Sequence, residues 1–254
     1  MKKLLSLLFC VALALSANAQ KTYAIITGVS NYEGNDHDLA QSSKDAKSIA
    51  AHYKEKNASV TLFTSKYATR DNIIAQIRKV AKVATASDRV VFSYSGHGAP
   101  NILCTYTTGN MKMLSYAELF KELNKCLTKD IVVYIDACFS GSAASSAVGT
   151  KALPVEMNWR NMVKSNPRYI LFLSSRESET SAESGLVGAG FFTRALIKGL
   201  RGKSDVNADR NVTVMELFRY IYKDVLLHSD KKQHPQLVAP KTLHDTVLMN
   251  LSSG

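Results

Sequence analysis

An α/β domain on an open, mostly parallel sheet is the fold class this sequence predicts, on three observations. Apolar β-prone runs alternate with segments of helical period along the chain, the pattern of strands joined by helical crossovers. Two central runs, Arg89 to Tyr94 (Arg-Val-Val-Phe-Ser-Tyr) and Ile131 to Ile135 (Ile-Val-Val-Tyr-Ile), are dense rather than alternating, as strands are when helices cover both faces of a sheet. The 254 residues, 46% of them hydrophobic, suffice for one such domain with a substantial core and are too few for two large ones.

Taken in order, Thr22 to Gly28 (Thr-Tyr-Ala-Ile-Ile-Thr-Gly) is a short buried strand closed by glycine. Ser43 to Lys56 sets Ala46, Ile49, Ala50 and Tyr53 at helical spacing, and Ser59 to Thr64 follows as a second strand. Thr69 is the expected N-cap of a helix whose Ile73, Ile74, Ile77, Val80, Ala81 and Ala84 form one apolar stripe. A helix from about Tyr116 to Cys126 separates the two dense strands. Arg168 to Leu173 repeats the strand pattern, Phe191 to Leu200 and Val214 to Leu227 are helical, and Thr242 to Leu248 is a last strand. Phe139 to Pro167, opening Ser-Gly-Ser-Ala-Ala-Ser-Ser-Ala, is expected to be an irregular surface loop.

The N-terminus reads as an export signal. Lys2 and Lys3 form a basic start, Leu4 to Leu15 an apolar run, and Ala17-Asn18-Ala19 a small-residue cleavage site. The expected layout is a signal peptide over residues 1–19 and a single domain over 20–254, exported to the periplasm or secreted. The apolar run falls short of the about 20 residues of a bilayer span, so no membrane association is expected once the signal leaves. Cys104, Cys126 and Cys138 then remain, an odd number without a Cys-x-x-Cys pair, which points to at least one free thiol. Losing Lys2 and Lys3 lowers the formal charge from +11 to +9. The basic residues are scattered rather than interleaved with aromatics, which argues against a nucleic-acid partner. A monomer is expected.

Two strand ends carry residues of chemical interest. Ser95-Gly96-His97-Gly98 follows one dense strand and Asp136-Ala137-Cys138-Phe139-Ser140-Gly141 the other. In open parallel sheets, functional groups collect beyond the carboxyl ends of the strands. Glycines around His97 allow a sharp bend, and a histidine that reaches a thiol can convert it to the thiolate nucleophile. A lone Cys is more often a buried small hydrophobe and a lone His a satisfied core residue; it is their joint occurrence at two strand ends that marks a candidate pair. Asp136 and Cys138 lie at i and i+2, which places a carboxylate beside the thiol. Asp136 could equally be a turn or cap residue, and Asp45 a first-turn helix charge in a Ser42-x-x-Asp45 capping box.

Tyr94-Ser95-Gly96-His97-Gly98 and Asp136-Ala137-Cys138-Phe139-Ser140-Gly141, with His97 and Cys138 separated by 41 positions and in that order, resemble the catalytic motifs of the caspase and metacaspase superfamily. The likeness runs from the first strand to Phe192-Thr193-Arg194-Ala195-Leu196. It implies a three-layer α/β/α sandwich and a cysteine endopeptidase. His97 would be the general base and Cys138 the nucleophile, with the backbone N–H groups of Gly98 and Cys138 as the oxyanion hole. Caspases carry Gln where this chain has Asp136, so the match is better to metacaspases and related bacterial peptidases. Asp45 then matches their second acidic pocket residue and Ser95 a polar wall residue; two carboxylates select Arg or Lys at the cleaved position. Ser174 to Ser181 resembles a second pocket wall. Lys151, Arg160 and Lys164, behind the nucleophile, make residues 139–167 a candidate for autoprocessing, against the alternative of an ordinary solvated loop.

Asp205, Asn207, Asp209, Asn211, Thr213 and Glu216 fall at the spacing of an EF-hand calcium loop, but Arg210 stands where glycine makes the tight turn. The alternative is a polar turn capping the helix that starts near Thr213. No cofactor is required by the chemistry the resemblance implies. Two other functions share the same residues: a non-catalytic peptide- or partner-binding module, and a thiol acyltransferase or transpeptidase, in which an amine rather than water accepts the acyl group.

Overall fold

The computed structural model describes residues 20–33, 38–99, 101–109, 111–137, 155–174 and 190–252, without the side chains of 155–158. The proposed signal peptide, Cys138 through Gly141, Lys151 and residues 175–181 lie outside the described residues. In chain order the elements are β1 (Thr22–Gly28), α1 (Ser42–Glu55), β2 (Ser59–Thr64), α2 (Arg70–Val83), β3 (Arg89–Ser95), the short β4 (Gly98–Ala99), β5 (Ile102–Leu103) and β6 (Leu114–Ser115), α3 (Tyr116–Leu123) and β7 (Asp130–Asp136). Then come α4 (Val155–Ser165), β8 (Tyr169–Leu173), α5 (Phe191–Lys198), β9 (Asn211–Thr213), α6 (Val214–His228), β10 (Gln236–Val238) and β11 (Val247–Asn250).

The central sheet has six strands in the order β10-β8-β7-β3-β1-β2, all parallel except the antiparallel edge strand β10. Its two faces fill separate cores. Ile25, Val90, Phe92, Tyr94, Ile131, Val133 and Ile135 face α2, α3 and α4, while Ala24, Ile26, Val91, Val132 and Tyr134 face α1, α5 and α6. This period-two division explains the dense strands: neither face meets water, so both sets of positions are apolar. Each fully buried Ile or Phe contributes about 1.5–3 kcal/mol relative to exposure.

Local chemistry sets the helix starts. Thr69 caps α2 by accepting the Asn72 N–H at 3.2 Å, and Ser115 caps α3 through the Glu118 N–H at 3.2 Å. Gly28 ends β1 without a side chain because a Cβ there would stand 2.4 Å from the Ser42 carbonyl oxygen, in the backbone of α1. At the opposite end of the sheet, Arg89 bonds Asp130 at 2.8 Å and the carbonyls of Val247 and Leu248 at 2.7 Å each, tying β11 to the first residues of β3 and β7.

Two sequence expectations are corrected, and two features are additional. Residues 155–165, expected to be irregular, form α4, because Trp159 and Val163 make a one-sided apolar stripe. Trp159 packs 4.2 Å from Tyr116 and 5.3 Å from Phe120, centroid to centroid. Arg160 and Lys164 therefore stand on the exposed side of a helix rather than in a loop. The strand expected over Thr242 to Leu248 starts only at Val247, after a 3-10 turn over Lys241–Leu243, and pairs with β9 outside the main sheet. The small sheet β4-β5-β6 and strand β10 were not anticipated; β10 is three residues long between Pro235 and Pro240, suited to an edge. Among the described residues no helix is long and apolar enough to cross a membrane.

Candidate active site

The register of the sheet brings the two motif-bearing strand ends together. β3 and β7 are neighbours, with Ser95 opposite Asp136, and the ladder continues past the strands through the Gly96 N–H, which donates to the Asp136 carbonyl at 3.1 Å. His97 and Cys138 each lie two residues beyond this last pair in the sequence. Cys138 and the turn after it are outside the described residues, so its thiol has no stated position.

The backbone of His97 is held on both sides. Its N–H donates to Tyr32 Oη at 2.7 Å; its carbonyl accepts from the Cys104 N–H at 3.0 Å and from Tyr94 Oη at 2.7 Å. The imidazole is half-buried and lies 4.9 Å from the Tyr32 ring, tilted by 45°. Gly98 follows as the first residue of a hairpin, paired with Leu103.

Side-chain parity places the carboxylates. Ser95 and Asp136 continue the face on which Val91, Val132 and Tyr134 point toward α1 and α5. Asp136 meets the first turn of α5: its carboxylate accepts from Thr193 Oγ1 at 3.1 Å, from the Thr193 N–H and from the Ser174 side chain. The cap position of α5 is held by Gly190, so Asp136 meets the helix start from a neighbouring strand and is not its N-cap residue. Burial nevertheless outweighs these donors and pushes its carboxyl up to about 6.

Asp45, in the first turn of α1, is 4% exposed and receives one hydrogen bond, from Gln41 Nε2 to Oδ1 at 3.3 Å. Burial first, and then the charge of Asp136, push it up to about 7. The capping box suggested by Ser42-x-x-Asp45 is not formed. Gln41 takes the cap position and Ser42 Oγ is buried without a partner. Asp45 Oδ2 and Ser95 Oγ are likewise enclosed without a hydrogen bond. The sequence-predicted trio Asp45, Ser95 and Asp136 therefore shares one side of the sheet end; Asp136 is supplied with donors, while Asp45 Oδ2 and Ser95 Oγ have none among the described residues.

The other two cysteines are unsuited to nucleophilic work. Cys104 and Cys126 are free and buried, and burial pushes each thiol up to about 11. In the loop of calcium-like spacing, Asp205 Oδ2 accepts from the Arg210 N–H at 3.0 Å, Asn207 Oδ1 from the Asp209 N–H at 3.0 Å and Asp209 Oδ1 from the Asn211 N–H at 2.7 Å. Thr213 and Glu216 form a capping box at the start of α6, and Arg210 adopts a φ of 66°. Among the described residues no three His, Cys, Asp or Glu side chains gather as metal ligands.

Sequence reasoning did not single out Tyr32, and it named Ser174 and Thr193 only within longer segments, without the role of bonding Asp136. Thr193 follows Gly190 at a helix start, which was a usable signal; the loop residue Tyr32 carried none.

Three comparisons bear on this arrangement. A caspase-domain family profile matches residues 21–246. A protein from Geobacter sulfurreducens superposes with a TM-score of 0.61 at 20% identity, over 89% of this chain and 97% of its own. The structure of pro-sf-caspase-1 superposes with a TM-score of 0.60 at 16% identity, over 87% of each chain. No curated protein sequence matches. The six-stranded, mostly parallel sheet with its helical layers is the caspase-like fold, and with the family profile spanning nearly all of its length the chain belongs to the caspase-domain family of cysteine peptidases.

Proposed function

We propose that the protein is an exported cysteine endopeptidase that cuts polypeptides after Arg or Lys, with Cys138 as nucleophile and His97 as general base. The observation that carries this reading is the juxtaposition of Asp136 and Asp45 at the end of the sheet, opposite Ser95 and beside the His97 turn. Both carboxylates are buried, and Asp45 is raised first by that burial and then by the charge of Asp136. Asp45 Oδ2 and Ser95 Oγ, buried acceptors without donors among the described residues, favour a cationic partner that brings several N–H groups, as a guanidinium or ammonium does. The buried, weakly acidic thiols of Cys104 and Cys126 leave Cys138 as the candidate nucleophile.

In the proposed reaction Asp45 and Asp136 hold the basic side chain and bring the scissile carbonyl to Cys138. His97 takes the thiol proton, the thiolate adds to the carbonyl carbon, and the backbone N–H groups of Gly98 and Cys138 receive the oxyanion. Collapse expels the amine, which leaves with the proton from His97; water then cleaves the thioester. The substrate is a peptide or protein with a basic residue at the cut, and the chemistry needs no cofactor. Residues 205–216 serve as a helix-capping turn. Autoprocessing, if it follows the same specificity, falls at Lys151 rather than at Arg160 or Lys164, because a protease binds extended chain and the latter two are helical.

The test is hydrolysis of fluorogenic peptides with Arg, Lys, Asp or Leu at the cleaved position, by the mature protein and its Cys138→Ala variant. Cleavage after Arg and Lys that vanishes in the variant supports the reading. Cleavage after Asp overturns the carboxylate pocket. No cleavage, with peptide binding retained, favours the binding module, and product formed only when an acceptor amine is added favours transfer.

A further inference from the structure

Two tyrosines, Tyr94 buried and Tyr32 half-buried, grip the turn that carries His97. Tyr94 Oη donates to the carbonyls of His97 at 2.7 Å and Cys104 at 2.8 Å, while Tyr32 Oη accepts the His97 N–H at 2.7 Å and also bonds Tyr94. The two hydroxyls press on the backbone between them. A Cβ at Gly96 would stand 2.5 Å from Tyr94 Oη and 2.8 Å from Tyr32 Oη, so glycine is required there. Tyr32 is itself anchored: its N–H donates to Asp38 Oδ1 at 2.7 Å, and Ser30 beside it accepts the Leu39 N–H at 2.7 Å. Its ring lies 4.9 Å from the imidazole at 45°.

We propose that Tyr32 is a positioning residue for His97, its hydroxyl fixing the backbone of residue 97 and its ring fixing the plane of the imidazole. The role rests on the reading of His97 as the base. It gives the pair of strand-end residues a third member, one that orients the base from the loop after β1 rather than from either strand that bears them. A hydroxyl on the main chain and a ring face on the side chain restrict both ends of the same residue, which a single hydrogen bond to an imidazole nitrogen does not do.

The test compares Tyr32→Phe, Tyr32→Leu and, as a control, Tyr53→Phe in the mature protein. Tyr53 shares a buried hydroxyl pair with Tyr134 at 3.1 Å in the core between the sheet and α1, so its truncation has a similar structural effect without touching the His97 turn. Tyr32→Phe is expected to lower kcat on an Arg peptide by about 10-fold with KM nearly unchanged, the size of effect that a small misplacement of a reacting group produces. Tyr53→Phe is expected to lower Tm and leave kcat as it was. Independently of turnover, the His97 ring protons, assigned by NMR against His97→Gln, are expected to lose the ring-current shift in Tyr32→Leu and keep it in Tyr32→Phe. Wild-type kcat in both Tyr32 variants, or His97 signals indifferent to the Leu variant, overturns the proposal. If the wild-type protein cleaves no peptide, the functional reading falls while the NMR comparison still decides whether Tyr32 sets the imidazole.

Discussion

Replacing Asp45 by Asn should stabilise the protein at alkaline pH while removing the proposed preference for basic residues. Asp45 is raised from 3.8 to about 7 by burial and by the charge of Asp136. The folded chain therefore holds a proton that the unfolded chain releases, and stability is highest below about pH 4 and falls as pH rises toward 7. At 1.36 kcal/mol per unit, ionised Asp45 opposes folding by about 4 kcal/mol above pH 7. The Asn Oδ1 still accepts from Gln41 Nε2, so Asp45→Asn should gain about 4 kcal/mol at pH 8. Near pH 4, where Asp45 is already neutral, the two proteins should be nearly equal. Urea denaturation of both at pH 4, 6 and 8 measures the difference directly, and for a chain of this size the pH 8 gain corresponds to about 8–16 °C in Tm. A gain that does not vary with pH, or a variant less stable than wild type at pH 8, would refute the view of Asp45 as an enforced buried carboxylate. In the same samples the KM for an Arg peptide should rise sharply.

Other expectations concern thiols and packing. Iodoacetamide at pH 7.5 should label one cysteine of the folded mature protein, Cys138, because Cys104 and Cys126 are buried and titrate near 11; mass spectrometry of tryptic peptides reads this, and equal labelling of all three would contradict it. Arg89→Met leaves the half-buried Asp130 without its cation, with one oxygen already unpartnered, and frees two carbonyls, so a loss of about 3 kcal/mol in chemical denaturation is expected. Trp159→Ala should remove about 3–5 kcal/mol, since the indole is 1% exposed between α3 and the sheet; a loss below about 1 kcal/mol would mean α4 is not docked as described.

The central strands and the two motif turns were legible because their signals are local. A run such as Ile131 to Ile135 has one interpretation when both faces must be dry, and parity then carries Asp136 to the side of α1. Helix α4 was missed because its apolar signal is confined to two turns and follows a long stretch of small residues. β10 is too short to show a period. The partners of the site were harder still: Tyr32 meets His97 across 65 positions of sequence, and Thr193 meets Asp136 across 57. Contacts of that separation are products of the completed sheet, and no window along the chain contains both members.

The same two strands carry opposite electrostatic conditions at their two ends. β3 starts with Arg89 and ends with Ser95; β7 starts with Asp130 and ends with Asp136. The starting ends meet in an ion pair whose arginine also bonds two carbonyls, and the far ends, about 20 Å away at 3.3 Å per residue, hold the Asp136 carboxylate with neutral donors and no cation bonded to it among the described residues. A scaffold divided in this way can exchange the residues that choose a substrate while leaving untouched the ones that close the sheet. On the proposed reading, changes at Asp45 would redraw which side chain is accepted at the cost of little folding stability, or with a gain in it, so the selectivity of such a domain is free to drift faster than its architecture.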